Sequence, residues 1–238
     1  MKARLQNNSA LPLGDAVDPT PAQRPRPVIL QGRFGRVEQL DAKMHASSLW
    51  QAAQQDDTIW AYFAYGPFKD EAELKLHIES LPADKNDFFY ALVDLNGNCT
   101  GTCGLIAVRP EMKVCEVAHV IYTKALQRTI FGTEAQYLLM RHVFEDLGYR
   151  RYEWKCNALN EKSNRAAMRY GFTYEGTFRQ HMITRGTNRD TAWYSILDKE
   201  WPALKENFER WLAADNFDED GQQKTPLKIS VIPAKAGI

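Results

Sequence analysis

The tightest constraint on this chain is a change of hydrophobic period at residue 88. Phe88 to Asp94, Thr102 to Val108 and Val114 to Tyr122 read as strands, with period two where one face is to be buried. Asn96-Gly97 supplies a tight turn after the first, and Pro110 marks the turn before the third. Three strands joined by short turns make an antiparallel meander. The period then becomes helical from about Gly132 to Leu147, where Tyr137, Leu138, Met140, Val143, Phe144 and Leu147 share a broad apolar face and Gly148 supplies the stop. Tyr152 to Cys156 follows as a strand, Ser163 to Tyr170 as a short helix stopped by Gly171, and Phe172 to Phe178 and Thr191 to Leu197 as further strands. A last helix after Pro202 runs to about Ala213 and should bury Leu204, Phe208, Trp211 and Leu212. A meander followed by a strand-helix-strand unit implies an α+β domain around a mixed, mostly antiparallel twisted sheet of about six to seven strands flanked by helices.

Upstream of the meander, Val28 to Phe34 reads as a first strand. Asp41 to Gln55 reads as a helix with Leu40, Met44, Leu49 and Ala52 near one face, and Glu71 to Ser80 as another with Leu74 and Ile78 as its apolar pair. Between them lie Trp60, Tyr62, Phe63, Tyr65 and Phe68. No basic residues interleave with these rings, so they suit a core or a pocket wall better than a base-stacking platform. Residues 1–26 carry Pro12, Pro19, Pro21 and Pro25 and are expected to be a flexible arm. Residues 27–213 form the folded domain. Residues 214–238 turn acidic, then polar, and end in SVIPAKAGI, which is expected to be a loose tail.

Lys plus Arg and Asp plus Glu each number 30. A net charge of zero provides no field to concentrate a polyanion, so no nucleic-acid partner is expected. No apolar run approaches the roughly 20 residues that span a bilayer. Cys99 and Cys103 have no second cysteine pair and no nearby histidine pair. They therefore read, with Cys115 and Cys156, as reduced thiols; no metal is expected, and the setting is read as cytoplasmic.

The junction between the third meander strand and the long helix carries the most specific signal. A helix N-terminus exposes unsatisfied N–H groups that suit a phosphate, and Gly132 removes a side chain where a ligand would approach the backbone. Gln127-Arg128-Thr129-Ile130-Phe131-Gly132-Thr133-Glu134-Ala135 resembles the pyrophosphate-binding loop of GNAT acetyltransferases, Gln/Arg-x-x-Gly-x-Gly/Ala followed in one branch by Thr-Glu-Ala. Ile130 stands where the family has its middle glycine, so the loop must keep φ negative there. A second stretch, Asn160-Glu161-Lys162-Ser163 with Gly171-Phe172 and Glu175-Gly176, is similar to the RimJ/RimL-like branch, which acetylates amino termini of ribosomal proteins and other amines. Neither GxxxxGK[ST] nor GxGxxG is present, which argues against a nucleotide triphosphate or dinucleotide site.

The resemblance implies a GNAT fold splayed between its fourth and fifth strands and acetyl-CoA as cosubstrate. It implies main-chain contacts to the thioester and pantetheine from Val120, Ile121 and Tyr122, a pyrophosphate loop of Gln127 to Thr133, and a coenzyme contact from Asn160. The tyrosine that many members use as general acid falls at Ala167, which cannot donate. Ser163 stands where the branch has a serine proposed to protonate the thiolate. Glu116 matches the branch's acidic residue and is the candidate base. His119 on the same strand is an alternative, and strand alternation puts the two on opposite faces unless the strand bulges between them. Asn160 and Ser163 also suit helix capping. The acceptor is expected to be a primary amine, in a pocket walled by Trp50, Trp60, Tyr62, Phe63 and Phe68 and by the region from His181 to Asp190. A homodimer is compatible with this family. The alternative reading, favoured by Ile130 and Ala167, is an acyl-CoA-binding module with little or no turnover.

Overall fold

The computed structural model describes residues 14–81 and 87–227. Its strands are β1 (Leu30–Gln31), β2 (Gly35–Gln39), β3 (Phe88–Asp94), β4 (Cys99–Arg109), β5 (Val114–Tyr122), β6 (Arg151–Asn157), β7 (Thr173–Thr184) and β8 (Thr187–Leu197). The helices are α1 (Ala42–Ala53), α2 (Glu71–Ser80), α3 (Ile130–Arg141), α4 (Glu161–Arg169) and α5 (Trp201–Leu212). The eight strands form one sheet in the order β1-β2-β3-β4-β5-β6-β8-β7. Every neighbouring pair is antiparallel except β5 and β6. That one parallel pair needs a crossover, which α3 provides.

Two cores lie on opposite faces of the sheet. The larger packs Tyr90, Leu105, Val117, Tyr152 and Trp154 against α3 and α5. The smaller packs Ala91, Val93 and Ile121 against Leu49 of α1, Leu74 and Ile78 of α2, and Trp60. Phe63, Tyr65 and Phe68 pack on the second core, so the aromatic run is a wall.

The single strand expected over Val28 to Phe34 is instead β1, a turn and β2. The cause sits a hundred residues away. The Glu134 carboxylate accepts the N–H groups of Arg33 and Phe34, each at 2.8 Å. A Cβ on Gly32 would stand 2.4 Å from Glu134 Oε2, so glycine is what lets the turn close on the helix. Glu134→Ala should lower the unfolding free energy by about 2–4 kcal/mol, because two amides lose a charged acceptor. Urea denaturation read by circular dichroism checks this.

The apolar face expected for α1 is rotated. Ala42, His45, Ala46, Leu49 and Ala53 are buried, while Met44 is 68% exposed. Asp41 caps the helix by accepting the Lys43 and Met44 N–H groups, which fixes its phase. His45 takes the core position because both ring nitrogens find partners, Nδ1 with the Asp41 N–H and Nε2 with Glu38. α3 starts two residues earlier than expected, because Thr129 rather than the loop beyond it is the N-cap. Gly148 closes the segment at φ +75°.

β7 and β8 form a hairpin far longer than expected. Its register slips between Phe178 and Met182, with Gln180 at φ +49°. That bulge, with the polar residues around it, hides the strand period. The segments expected to be loose are partly tied down. Ala22 and Gln23 N–H groups donate to Pro110 and Leu147 carbonyls, and Asn216 donates to Trp211 and Thr225 carbonyls. Residues 1–13, Pro82 and the final SVIPAKAGI lie outside the described residues.

Candidate active site

β5 and β6 pair only from Val114↔Arg151 to Val117↔Trp154. β5 continues to Tyr122, while β6 follows β8 out to Asn157↔Thr191. The two strands therefore part after Val117, and this is the splay expected between the family's fourth and fifth strands. Along the parting edge, Val120 and Tyr122 turn their side chains to the larger core and Ile121 to the smaller. The main chain of this edge faces the gap without a neighbouring strand.

The gap opens toward the N-terminus of α3. Thr129 has extended geometry, φ −90° and ψ 161°, and its Oγ1 accepts the Gly132 N–H at 3.0 Å. Ile130 and Phe131, the first two helical residues, keep N–H groups with no intrahelical acceptor. The loop's one positive φ falls at Arg128, +61°, so Ile130 is spared the conformation that glycine adopts in the family pattern. Gln127 donates from Nε2 to the Tyr122 carbonyl at 2.7 Å and so fastens the loop to the strand end. Phe131 and Thr133 are buried. Thr133 Oγ1 accepts from Arg169 at 3.0 Å.

At Gly132 a Cβ would meet the Leu126 carbonyl at 2.8 Å and the Tyr122 ring at 3.1 Å. The missing side chain makes room for the protein's own strand end and the loop that leaves it. The Gly132 carbonyl accepts from both Tyr122 and Tyr170 hydroxyls. The N-terminal turn of α3 is thus buttressed from below.

On the far side of the gap, Asn160 caps α4 by accepting the Ser163 N–H at 3.1 Å. Its Nδ2 makes no hydrogen bond among the described residues. Ser163 Oγ accepts the Trp154 indole N–H at 3.0 Å. An oxygen held in that way still has its proton to donate. Ala167 is fully buried in the larger core.

β5 does bulge. Gly104 pairs with Ala118 and Thr102 with Ile121, one more residue on β5 than on β4, and His119 sits in the bulge at φ +50°. The extra residue turns His119 onto the face that carries Glu116 and the aromatic wall. Glu116 is buried, and its carboxylate lies 2.8 Å from Lys155 Nζ. Burial raises its pKa, and Lys155 opposes that shift. Lys155 also reaches Glu153 at 3.2 Å and stands 3.9 Å over the Trp193 ring. His119 Nδ1 is 2.8 Å from the Tyr65 hydroxyl, with the rings stacked. Burial, then His77, lowers the His119 pKa to about 4.

Three contacts among the residues expected to wall the acceptor pocket have no signal in the sequence. Tyr65 was read only as a ring in the wall. Arg185, at the β7–β8 tip, donates to the Tyr65 and Gly66 carbonyls and braces that wall. Tyr62 reaches across to the Leu159 carbonyl at 3.0 Å. The pairings span 54 to 120 residues and leave no local pattern. Along the hairpin, an open concavity is lined by Phe178, Gln180, His181, Asn188 and Asp190.

A mixed sheet whose one parallel pair parts in front of an open helix N-terminus is the architecture of an N-acetyltransferase. The model of the Acetyltransferase (GNAT) domain matches residues 36–173, and the chain belongs to the GNAT acetyltransferase family. A GCN5-related N-acetyltransferase from Brucella melitensis, known from its crystal structure, is 40% identical, with 87% of this chain and 96% of that chain covered at a TM-score of 0.84. A Bacillus subtilis (strain 168) relative named "Putative ribosomal N-acetyltransferase YdaF" is 28% identical over 71% of this chain and 92% of its own length. It accords with the RimJ/RimL-like branch. The ribosomal L7/L12 α-N-protein acetyltransferase RimL shares the fold at a TM-score of 0.62 and 20% identity, over 74% of this chain and 99% of its own. No helix among the described residues is long and apolar enough to cross a membrane.

Proposed function

We propose that the protein transfers the acetyl group of acetyl-CoA to a primary amine, a protein N-terminus or a small-molecule amine, by direct attack in a ternary complex. The observation that carries this reading is the gap beyond Val117, which ends at the open first turn of α3. The diphosphate is held by the N–H groups of the Gln127–Thr133 loop, chiefly Ile130 and Phe131, where the helix dipole favours an anion. The pantetheine arm lies beside the Val120–Tyr122 main chain, with Asn160 Nδ2 as a further donor. A strand-like arm held in that way brings the thioester to a fixed point, which is the entropic part of the catalysis.

Ser163 hydrogen-bonds the sulfur as the C–S bond breaks, or relays to it a proton taken from water. Glu116, the candidate base that the resemblance implies, stands on the acceptor face, and its ion pair with Lys155 fixes the carboxylate. Four unpaired cysteines support a reducing, cytoplasmic setting.

The module reading keeps one observation, the alanine at position 167. Thiol release from acetyl-CoA across a panel of peptide N-termini, polyamines and amino sugars separates the two. Amine-dependent release with one class above the rest supports the transferase. Tight coenzyme binding with release no faster than hydrolysis in every arm supports the module.

A further inference from the structure

We infer that His119, oriented by Tyr65, is the base that takes the proton from the attacking amine. The inference rests on the transferase reading above and names a residue of that same site. Three observations carry it. First, φ +50° at His119 is a backbone conformation uncommon for residues other than glycine, and such outliers collect at functional sites. Here the outlier has a consequence, since the bulge turns the imidazole onto the acceptor face, two residues beyond the last β5–β6 pair.

Second, the ring is fixed. The Tyr65 hydroxyl lies 2.8 Å from Nδ1, the two rings are stacked within 5°, and Phe89 meets the imidazole edge-on at 5.2 Å. Third, Nε2 makes no hydrogen bond among the described residues, and it is not one of the sealed, unpartnered polar atoms of the interior. His119 is half-buried, so this nitrogen keeps access to solvent. When Nδ1–H donates to Tyr65, the lone pair on Nε2 faces outward, which is the tautomer a base requires. The titratable groups around the ring are Tyr65, His77 on α2, and Glu116 on its own strand; Arg185 braces the Tyr65 carbonyl.

The step balances without another reactant. The neutral amine nitrogen bonds to the thioester carbon. The C–S bond breaks with its electron pair left on sulfur. The proton lost by nitrogen goes to His119 Nε2 and on to solvent, and the thiolate takes a proton from water, directly or relayed through the Ser163 hydroxyl. Burial keeps the imidazole neutral at physiological pH, so the Nε2 lone pair is available, and the same burial makes it a weaker base than a free histidine.

The test uses the full chain with acetyl-CoA and its best amine. His119→Asn tolerates the positive φ and cannot act as the base, so kcat should fall about 10²- to 10⁴-fold with coenzyme A affinity unchanged. His119→Gly suits φ +50° without strain and leaves a cavity. Added imidazoles should restore turnover in that variant, faster as their basicity rises. Tyr65→Phe keeps the ring and loses the hydroxyl; it should lower kcat while KM stays near wild type. A His119→Asn enzyme with wild-type kcat, or a folded His119→Gly enzyme that no imidazole rescues, overturns the assignment. An enzyme that acetylates no amine overturns the transferase reading instead, and the wild-type arm of the experiment reports that separately.

Discussion

Ile130→Pro is expected to weaken coenzyme A binding by ~10- to 150-fold while the fold survives. Ile130 is the first residue of α3, where proline is well tolerated because its missing N–H has no intrahelical acceptor in any case. Thr129 before it has ψ 161°, the extended geometry that proline demands of its predecessor. The substitution therefore deletes one donor to the diphosphate and, apart from that, only the packing of the half-buried Ile130 side chain on the larger core. A hydrogen bond to a charged group contributes about 1.5–3 kcal/mol, which converts to that range of affinity. Isothermal titration calorimetry measures the loss, and a thermal melt reports the fold. Bulk at Gly132 would be a poorer probe, since a Cβ there already strikes the Leu126 carbonyl.

Phe208→Ala is expected to lower the unfolding free energy by about 3–5 kcal/mol, with a fall in Tm of roughly 6–20 °C for a domain of this size. Phe208 on α5 is fully buried and lies between the rings of Tyr137 and Tyr170, at 5.8 and 6.4 Å. Its removal leaves a cavity that α3 and α5 close only in part. Tyr170 also reaches the Gly132 carbonyl, so the cavity lies under the coenzyme loop. Differential scanning calorimetry gives the stability, and a change of Tm below about 2 °C would contradict the packing described here.

The elements legible in the sequence were those with one strong local signal. Val114–Tyr122 and Glu71–Ser80 needed only their period and flanking breaks, and the structure ends them at the same residues. The helix start beyond Gln127 was legible to within two residues because Gly132 and the apolar period that follows it are contiguous. Other features depended on partners far along the chain. The β1–β2 turn is made by Glu134, a hundred residues on. The face of α1 was misread because apolar counting passes over a histidine that Glu38 and Asp41 satisfy. Glu116 and His119 share a face only because one extra residue enters β5, and a bulge carries no signature that alternation can detect. Gly132 was recognised as required, but its inward-facing reason lies in Tyr122 and Leu126, which the sequence does not bring together.

A crystal structure of the protein with coenzyme A bound decides where the donor lies. Diphosphate oxygens are expected about 3 Å from the Ile130 and Phe131 nitrogens, and the pantetheine arm is expected to run beside β5 in the gap beyond Val117. A nucleotide lodged elsewhere, with that gap closed or filled by side chains, would contradict this placement.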